Sequence, residues 1–434
     1  MKISNKNEKL DYIIIGSGIA GIHTAYRLQQ KGKKVLVLEK ESYVGGRMSS
    51  ILINGRYVDF GAKFIGSVYK NMLPLARELD VNPVPIPLNK VGILKNNKLY
   101  TIGDSKLSAL LYKGISLKAR LQLGTAVFLR LIKYPHLDLY KLENNLKLDD
   151  KSIYDDFRNF AGVEGYDHVL ESFSRNVIFT GTKDFSRGAF YSILFKFLRL
   201  KPFTFPEGIG QLCKKMATSL PVEFGVKVKS VQRTFEGITV SIQNGGTTYL
   251  AKNVVVAIPG NRVLDILENP SPYEKEFFSQ IPYASTVQIY CEGNTNIFNQ
   301  TNGIWTLPHE NSNFTALGKG AAKINAEGFI NFTVALREKT YKYLLETNNF
   351  NPNYLKGLIE KEFPNISDLK IIRVQVWDSA TPIFYPGYLT KLSKFLNRTD
   401  WNNGIYFCGD YLENPSTEGA LTSSIELLQK LNFE

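Results

Sequence analysis

The strongest constraint on the fold of this chain lies near its N-terminus. A short apolar run, Asp11 to Ile15, is followed by the glycine-rich segment Gly16 to Gly21 (GSGIAG) and by a helical pattern that reaches Leu28. A second apolar run, Val35 to Leu38, ends at Glu39. This order of strand, GxGxxG loop, helix and strand predicts a dinucleotide-binding unit built on a parallel sheet.

The residue types of this unit have separate predicted tasks. Gly16 allows a tight turn, Gly18 allows backbone to approach a pyrophosphate, and Gly21 allows helix and strand to pack closely. N–H groups at the helix start can bind phosphate oxygens, and a carboxylate at the end of the second strand can accept hydrogen bonds from a ribose. The predicted cofactor-binding residues are Gly16, Ser17, Gly18, Ala20, Gly21 and Glu39.

A second glycine pair follows the unit almost at once, in the segment YVGGRM at residues 43–48. Gly45 and Gly46 allow backbone to run close to a ligand. Arg47 carries a fixed charge that can reach a pyrophosphate. Since a nicotinamide-binding domain has no evident need for this second clamp, the segment indicates another dinucleotide.

The GGR segment resembles that of flavoproteins in the amine oxidase, protoporphyrinogen oxidase and phytoene desaturase superfamily. The resemblance spans the chain and is densest in three segments, residues 11–66, 205–260 and 377–425. It implies FAD as the cofactor. It also implies an α/β fold, in which a Rossmann-like FAD-binding domain is joined to a substrate domain of antiparallel sheet plus helices.

The resemblance also assigns residues to the cofactor. Asp410 is expected to accept a hydrogen bond from a ribityl hydroxyl, and Val228 to lie against the adenine. Gly419-Ala420 is expected to open a final helix, Leu421 to Leu431, whose N-terminus faces the N1–C2=O edge of the flavin. Ser424 is a departure, because many relatives have glycine there. The residues carried over are Gly46, Arg47, Gly61, Ala62, Phe64, Val228, Gly409, Asp410, Gly419 and Ala420.

The flavoprotein-like segments are interrupted, so both predicted domains are discontinuous. The predicted FAD-binding domain comprises residues 1–66, 205–275 and 377–434, and the substrate domain comprises residues 67–204 and 276–376. We expect a hairpin from Val91 to Ile102 that turns at Asn96-Asn97. A helical subregion is expected at about residues 105–200.

A few positions indicate the branch of the superfamily. Amine oxidases of this group keep a lysine on a strand of the substrate sheet and hold the amine between two aromatic rings. The matching residues here are Gln288, Ile383 and Ser416, and the cysteine that binds flavin covalently in some relatives falls near Pro382. The resemblance therefore implies non-covalent FAD. It lies closer to the desaturase and protoporphyrinogen oxidase branch, whose substrates are large and apolar.

The candidate catalytic residues are Lys63, Gln288 and Tyr385, and Trp377 and Tyr388 are further candidates to line the site. A lysine charge beside the flavin favours an anionic reduced ring or an acidic substrate. Lys63 is therefore the first residue to test by mutation.

The expected function is that of an FAD-dependent oxidoreductase, which transfers a hydride from a C–H or N–H bond of an apolar substrate to flavin N5. Oxygen or a quinone is the expected electron acceptor. Three alternatives stay open: an amine or amino-acid oxidase with an altered pocket, a non-redox flavoenzyme such as a mutase or isomerase, and a non-catalytic flavoprotein.

Charge and composition bear on location and partners. The formal net charge is +13, and the helical patterns Ser116 to Tyr134 and Phe190 to Leu200 are basic and apolar, as suits contact with a membrane surface. The polar N-terminus and the absence of a long apolar run predict a cytoplasmic protein, with peripheral contact at the inner membrane face as an option. No nucleic-acid-binding motif is present. Three separated cysteines and four scattered histidines predict no metal site.

Overall fold

The computed structural model describes residues 10–86, 90–103, 111–243, 246–299, 301–310, 312–319 and 330–433. Its strands are β1 Leu10–Ile15, β2 Val35–Leu38, β3 Ser50–Ile53, β4 Arg56–Asp59, β5 Ile65–Gly66, β6 Val84–Pro85, β7 Lys90–Lys95, β8 Lys98–Gly103, β9 Pro202–Thr204, β10 Val222–Glu223, β11 Val228–Thr234, β12 Gly237–Ile242, β13 Thr248–Val256, β14 Tyr283–Thr295, β15 Gly303–Thr306, β16 Phe314–Lys319, β17 Ile330–Leu336, β18 Ile366–Pro382 and β19 Ile405–Phe407. Its helices are α1 Ile19–Gln30, α2 Met72–Glu78, α3 Leu117–Lys133, α4 Ile153–Ala161, α5 Val163–Gly165, α6 Glu171–Val177, α7 Arg187–Phe197, α8 Gln211–Ala217, α9 Pro272–Phe278, α10 Glu338–Glu346, α11 Pro352–Glu362, α12 Tyr388–Leu396 and α13 Thr417–Lys430.

The first sheet has the predicted dinucleotide-binding unit at its centre. β1 lies between β2 and β13 in parallel, with Ile14 opposite Val37 on one side and Val255 on the other. β10 pairs with β2, β19 pairs with the end of β13, and β12 and β11 continue the sheet in antiparallel direction. Alternate residues of β1 enter two hydrophobic clusters, Ile13 on one face and Ile14 on the other. This explains the continuous apolar run, because a strand covered on both faces has no polar side.

The second sheet has the strand order β18-β14-β17-β16-β15-β7-β8. Its neighbouring strands are antiparallel except for β15 and β7. The predicted hairpin is confirmed, since β7 and β8 are joined by Asn96 and Asn97 with φ angles of +48° and +60°. Asparagine tolerates this left-handed conformation better than most residues, and a two-residue hairpin turn needs it twice.

Helices α1 and α13, near the two ends of the chain, pack against each other. The hydroxyl of Ser424 lies 2.6 Å from Thr24 Oγ1 and 2.9 Å from His23 Nδ1. Burial, with a smaller effect of Arg27, lowers the pKa of His23 to about 3, so its imidazole is neutral. At position 424, where many relatives have glycine, this chain therefore has a serine whose hydroxyl forms hydrogen bonds between the two helices.

The helical subregion is present in the described part of residues 105–200, of which 104–110 lie outside the described residues. The predicted basic helix corresponds to α3, and the Ser116 hydroxyl caps it by accepting a hydrogen bond from the N–H of Ala119 at 3.2 Å. The second basic pattern corresponds to α7, which begins at Arg187 and is mostly buried. Within the described residues, none of the helices combines the length and the apolar character that a membrane crossing requires.

The strands of the first sheet fall inside the segments expected for the FAD-binding domain, and those of the second sheet fall almost wholly inside the segments expected for the substrate domain. The exception is the end of β18, which runs to Pro382 and so crosses the expected boundary at residue 377. The division into two domains stays a prediction.

Candidate functional site

The glycine-rich segment turns tightly between β1 and α1. Gly16 has a φ of +98°, and a Cβ there would lie 2.9 Å from the carbonyl oxygen of Ala257. A Cβ on Gly21 would lie only 2.1 Å from the carbonyl oxygen of Gly16, so the close packing of helix and strand requires glycine. A Cβ on Gly18 would meet nothing within 4 Å. Because Gly18 is the N-cap of α1 and supplies no side-chain acceptor, the first N–H groups of the helix suit an anionic ligand.

The segment YVGGRM packs directly on this loop. The N–H of Gly45 donates to the carbonyl oxygen of Ser17 at 2.8 Å, and Gly18 and Gly45 form a parallel bridge. Gly46 has a φ of +51°, and a Cβ there would lie 3.6 Å from the Cα of Gly18. The two glycine segments thus form one backbone surface at the start of α1, next to the buried Ala20.

Glu39 is buried at the end of β2 and holds the loop in place. Its Oε2 accepts hydrogen bonds from the N–H and from the hydroxyl of Ser17, both at 2.7 Å. The carbonyl oxygen of Glu39 accepts from the N–H of Val226 at 2.8 Å. Val228 is buried and begins β11 two residues later. The structure therefore brings the predicted ribose and adenine segments side by side.

Arg47 and Asp410 form a two-pronged ion pair that joins distant parts of the chain. Nη1 of Arg47 donates to Oδ2 of Asp410 at 2.7 Å, and Nη2 donates to Oδ1 at 2.9 Å. Burial lowers the pKa of Arg47 but the carboxylate of Asp410 more than offsets it, so the pKa lies above its ordinary value. The sequence suggested a pyrophosphate and a ribityl hydroxyl as partners of these residues. In the structure each is the other's partner, because a buried carboxylate needs a counter-charge.

Gly61 and Ala62 pack on the backbone of Arg47. The N–H of Ala62 donates to the carbonyl oxygen of Arg47 at 2.9 Å, and a Cβ on Gly61 would lie 2.0 Å from that oxygen. Phe64 follows on the same segment and is half-buried. This close backbone contact explains the glycine, and it fixes the direction of the intervening Lys63.

The C-terminal block corrects the expected start of the last helix. α13 begins at Thr417 rather than at Leu421, because the hydroxyl of Ser416 caps it by accepting a hydrogen bond from the N–H of Gly419 at 3.0 Å. Gly419 and Ala420 therefore lie inside the first turn. A Cβ on Gly419 would lie 2.1 Å from the carbonyl oxygen of Asn414, so its small size serves the turn that precedes the helix.

Gly409 comes directly after β19 and before Asp410. Its N–H donates to the hydroxyl of Ser423 at 2.8 Å, and a Cβ there would lie 2.5 Å from the ring of Tyr411. The position of the Asp410 carboxylate is thus set from both sides, by α13 and by Arg47.

Two of the three candidate catalytic residues meet in one cluster. We call Lys63, Gln288, Tyr290 and Thr333 the Lys63 cluster. Nζ of Lys63 donates to the carbonyl oxygen of Asp59 at 2.7 Å, to the hydroxyl of Tyr290 at 2.9 Å and to Oγ1 of Thr333 at 3.3 Å. The hydroxyl of Tyr290 lies 2.9 Å from Oε1 of Gln288. Burial, opposed by the Asp59 carboxylate, lowers the pKa of Lys63 to about 7.

A second cation lies beside this cluster. The guanidinium of Arg373 lies 4.3 Å from the ring centre of Phe60, and that ring packs edge-on against Tyr290 at 5.0 Å. Nε1 of Trp377 donates to the carbonyl oxygen of Phe60 at 2.8 Å, so Trp377 borders the cluster. Nζ of Lys63 lies 4.4 Å from the centre of the other ring of this pair, that of Tyr290.

The remaining candidates lie on or near α12. Among the described residues, Tyr385 contacts Tyr388 at a ring distance of 5.6 Å and accepts a hydrogen bond from Nζ of Lys391 at 2.9 Å. No contact joins it to Lys63 or Gln288 in the described chain. Tyr388 is buried and donates to the carbonyl oxygen of Tyr411 at 2.8 Å. Tyr388 is therefore a core residue, and Ile383 packs on the same hydrophobic cluster.

Sequence reasoning missed Tyr290, Thr333 and Arg373. Tyr290 lies two residues after Gln288 on β14, so the alternation of a strand puts both side chains on one face and could have identified it. Thr333 and Arg373 flank this position on neighbouring strands, because Tyr290 pairs with Thr333 on β17 and with Arg373 on β18. No local pattern indicates that register.

Known proteins resemble the chain in sequence and in fold. A protein from Dictyostelium discoideum named as a probable flavin-containing monoamine oxidase A is 26% identical over 310 residues, which cover 65% of this chain and 65% of that protein. The matched segments span between 8% and 65% of the lengths of the curated relatives. Among solved structures, putrescine oxidase bound to putrescine has a TM-score of 0.78 at 15% identity, covering 98% of this chain and 100% of that chain. A fatty acid isomerase from P. acnes has a TM-score of 0.70 at 15% identity, covering 99% of each chain.

The structural likenesses confirm the expected α/β fold class, and at this level of identity they show the fold alone. A family model gives the family. The model of flavin containing amine oxidoreductases matches residues 19–323, well over half of the chain. The match includes Gly21, the GGR segment and three residues of the Lys63 cluster, Lys63, Gln288 and Tyr290. The chain belongs to the family of flavin containing amine oxidoreductases.

Proposed function

We propose that this flavin-dependent oxidoreductase binds FAD without a covalent bond and oxidises a C–H or N–H bond of a largely apolar, neutral or anionic small molecule. The observation that carries the proposal is that two cationic side chains lie against the Phe60–Tyr290 ring pair, Arg373 near the Phe60 ring and Lys63 near the Tyr290 ring. When bound, the flavin supplies a two-electron acceptor. The residues of the chain bind, orient and exchange protons.

The residues at the start of α1 fit a dinucleotide. A Cβ would clash at Gly16 and Gly21 but meets open space at Gly18, so backbone N–H groups are accessible where a pyrophosphate requires them. The Arg47–Asp410 pair would border the cofactor, and the capped N-terminus of α13 lies on the same C-terminal segment. The three cysteines are buried, at Cys213, Cys291 and Cys408, and none is at the Pro382 position expected for a covalent link.

Electrostatics argues against a protonated amine as substrate. Arg373 carries a guanidinium group, and Lys63 is partly charged near neutral pH because its pKa is about 7. Two nearby cations raise the free energy of a third. The rings of Phe60 and Tyr290 and the indole of Trp377 offer apolar surface instead, which favours an apolar body with a neutral or negative group.

The low pKa gives Lys63 a second use. Nζ and the hydroxyl of Tyr290 are 2.9 Å apart, and the hydroxyl in turn donates a hydrogen bond to Oε1 of Gln288. In the charged state Nζ donates to the hydroxyl, and in the neutral state it can accept a hydrogen bond from it, because burial raises the pKa of Tyr290 well above its ordinary value and keeps the hydroxyl protonated. We therefore assign to Lys63 the role of holding the proton that substrate oxidation releases.

A second candidate function is amine oxidation. It is favoured by the likeness to a monoamine oxidase over 310 residues. In that case a neutral Lys63 would lower the repulsion of the amine, and Gln288 would stand where the superfamily's lysine is expected. Oxidation of amines at high pH only, where Lys63 has lost its proton, would be the sign of this function.

An apolar substrate fits a further feature, the outer face of α3. Its exposed apolar side chains include Leu117 at 60%, Leu121 at 56%, Phe128 at 60% and Ile132 at 58% exposure. The helix sequence LKARLQLGTAVFLRLIK holds two lysines and two arginines and no acidic residue. Exposed leucine and phenylalanine with basic neighbours match an anionic lipid surface. We propose that α3 contacts such a surface, from which an apolar substrate can be taken.

The function is tested by visible spectroscopy of the FAD-saturated protein without oxygen. Candidate reductants are a primary amine, an amino acid, a porphyrinogen and a polyene, with oxygen or a soluble quinone added afterwards. We expect an apolar compound to bleach the flavin band and the amines to leave it unchanged. Bleaching by an amine instead would overturn the substrate class and support the second candidate.

Two further measurements test the cofactor assignment independently of the substrate. Acid precipitation should release the flavin into solution, and flavin left in the pellet would contradict non-covalent binding. A protein that shows no flavin band after incubation with FAD would overturn the cofactor assignment itself. The variant Lys63→Met should retain the band and slow its bleaching by about 100-fold or more if Lys63 holds the proton.

A further inference from the structure

Three glutamates from distant parts of the chain converge outside the Lys63 cluster. Glu143 lies in the short turn Leu142–Leu148, Glu413 directly follows the turn Asp410–Leu412, and Glu426 lies on α13. One carboxylate oxygen of each lies within 4.8 Å of those of the other two. Like charges at this distance repel each other, so the arrangement needs a compensating charge.

Glu413 is the member of the cluster that lacks a compensating partner most clearly. Its side chain is 0% exposed, and neither of its carboxylate oxygens has a hydrogen-bond partner among the residues that the structure describes. Buried carboxylates on the same segment are paired. Asp410 binds Arg47, and Glu418 accepts hydrogen bonds from the N–H groups of Asn71 and Met72. An ionised carboxylate without a partner is strongly unfavourable in the interior, and burial, with a further effect of Glu426, raises the pKa of Glu413 to about 11. Glu413 therefore holds a proton unless a cation takes its place.

Lys141 offsets only part of the negative charge. Its Nζ lies 2.8 Å from Oε1 of Glu426, and the lysine side chain is 53% exposed. With all three carboxylates ionised, the single ammonium would leave an excess of two negative charges, so Glu413 stays protonated when no cation is bound. A divalent cation would balance that excess.

We propose that Glu143, Glu413 and Glu426 bind a divalent cation of the calcium type, with water completing its coordination. Carboxylate oxygens are the ligands that hard cations prefer. Ca²⁺ binds oxygen at roughly 2.3–2.6 Å in a flexible geometry, whereas Mg²⁺ requires roughly 2.0–2.1 Å in a nearly ideal octahedron. Oxygens that lie within 4.8 Å of one another, on three separate segments of the chain, therefore suit Ca²⁺ better than Mg²⁺.

The proposed cation site is accessible from solvent and lies between two segments that a cation could link. Glu143 and Glu426 line a surface cavity of about 790 Å³, together with Lys141. The cation would join the turn Leu142–Leu148 to the segment from Asp410 to α13, which contains the residues predicted to bind FAD. The role is structural, and the chain's net charge of +13 makes unspecific accumulation of cations unfavourable. The sequence predicted no metal site because these ligands share no local spacing.

Calorimetric titration and thermal unfolding of the chelator-treated, FAD-saturated full chain test the proposal. Saturating Ca²⁺ should raise the Tm by roughly 2–5 °C, and Mg²⁺ should do so less. The variant Glu413→Gln should weaken Ca²⁺ binding by about tenfold or more, since it removes the buried ligand charge. Its Tm without metal should equal or exceed that of the wild type, because glutamine needs no counter-charge.

Glu143→Gln, which changes a half-buried residue, gives the same test if Glu413→Gln does not fold. Glu360→Gln is the matched control, because Glu360 is an exposed acid of α11 with its own partner, Lys356; it should leave the Ca²⁺ response unchanged. A wild type that shows neither heat nor a Tm shift with Ca²⁺ would overturn the proposal. The proposal would also be overturned if Glu413→Gln and Glu143→Gln responded to Ca²⁺ as strongly as the wild type does. A Tm gain in Glu413→Gln with no Ca²⁺ effect in the wild type would mean that two glutamates share a proton.

Discussion

Burial and a few long-range contacts decide how individual residues of the site behave. Lys63 could be singled out from the sequence because it stands in YVDFGAKFIG, beside glycine and alanine that pack on Arg47. Its partners Tyr290 and Thr333 could not, since they lie on β14 and β17. The same holds for Arg47 and Asp410, which were both identified as cofactor residues but whose pairing depends on the folded chain.

Replacement of Lys63 by methionine should change how stability depends on pH. Lysine has an ordinary pKa of 10.5, and burial lowers that of Lys63 to about 7. Between these values the unfolded chain binds one proton more than the folded chain, so the stability of the wild type rises with pH. Relative to Lys63→Met, the wild type should gain ~1–2 kcal/mol of unfolding free energy between about pH 7 and about pH 9. Chemical denaturation at both pH values measures this difference.

Lys98→Met is the matched control for that experiment. Lys98 also lies near a tyrosine ring, 5.6 Å from the centre of Tyr100, but it is exposed. Its replacement should leave the pH dependence unchanged. A wild type and a Lys63→Met variant whose difference in stability is the same at both pH values would show that Lys63 keeps its charge, and the proton-holding role would be lost.

At the scale of helices and strands, local patterns located most elements and misplaced some ends. β2 was predicted from Val35 to Leu38 and has those bounds. The last helix was expected from Leu421 but begins at Thr417. The expected start is wrong because the capping serine at position 416 precedes the glycine and alanine. Serine is a common N-cap residue, but the hydrogen bond from the N–H three residues later is what identifies Ser416 as the cap.

The contact between α1 and α13 gives a test at this scale. Ser424→Ala removes the hydroxyl that Thr24 and His23 share across the two helices. Loss of a buried hydrogen-bonding group should lower the free energy of unfolding by about 1–3 kcal/mol, read as a lower midpoint of denaturation. The FAD-dependent absorbance should persist, because the hydrogen-bond partners of the Ser424 hydroxyl in the described chain are the side chains of His23 and Thr24 on α1.

Gln429→Ala is the control on the same helix, since Gln429 is exposed. It should change the free energy of unfolding by less than about 0.5 kcal/mol. A Ser424→Ala variant as stable as the wild type would mean that the hydroxyl of Ser424 contributes nothing to stability.

For the whole molecule, the two sheets could be predicted more fully than the contacts between them. The first sheet follows from continuous apolar runs, because strands covered on both faces carry no polar residues. The Lys63 cluster lies where a segment after β4 reaches β14 and β17 of the second sheet. Such junctions depend on the relative placement of segments that are far apart in sequence. That is why the sequence indicated the cofactor better than the substrate.

The proposed contact with a lipid surface concerns the whole chain, because it combines the net charge of +13 with the exposed face of α3. We expect the wild type to sediment with vesicles that contain phosphatidylglycerol and to bind less to vesicles of phosphatidylcholine alone. Leu121→Glu combined with Phe128→Glu should weaken binding about tenfold or more, since two apolar contacts are lost and two negative charges face an anionic surface.

Leu52→Glu provides the comparison that decides between surface contact and general stickiness. Leu52 is 56% exposed, as much as Leu121, but it lies on β3 and not on α3. If α3 is the contact, Leu52→Glu binds vesicles like the wild type, while the double variant keeps its fold and its FAD and stays in solution. If all three proteins bind alike, the exposed face of α3 has another purpose, and an apolar substrate must reach the Lys63 cluster from solution.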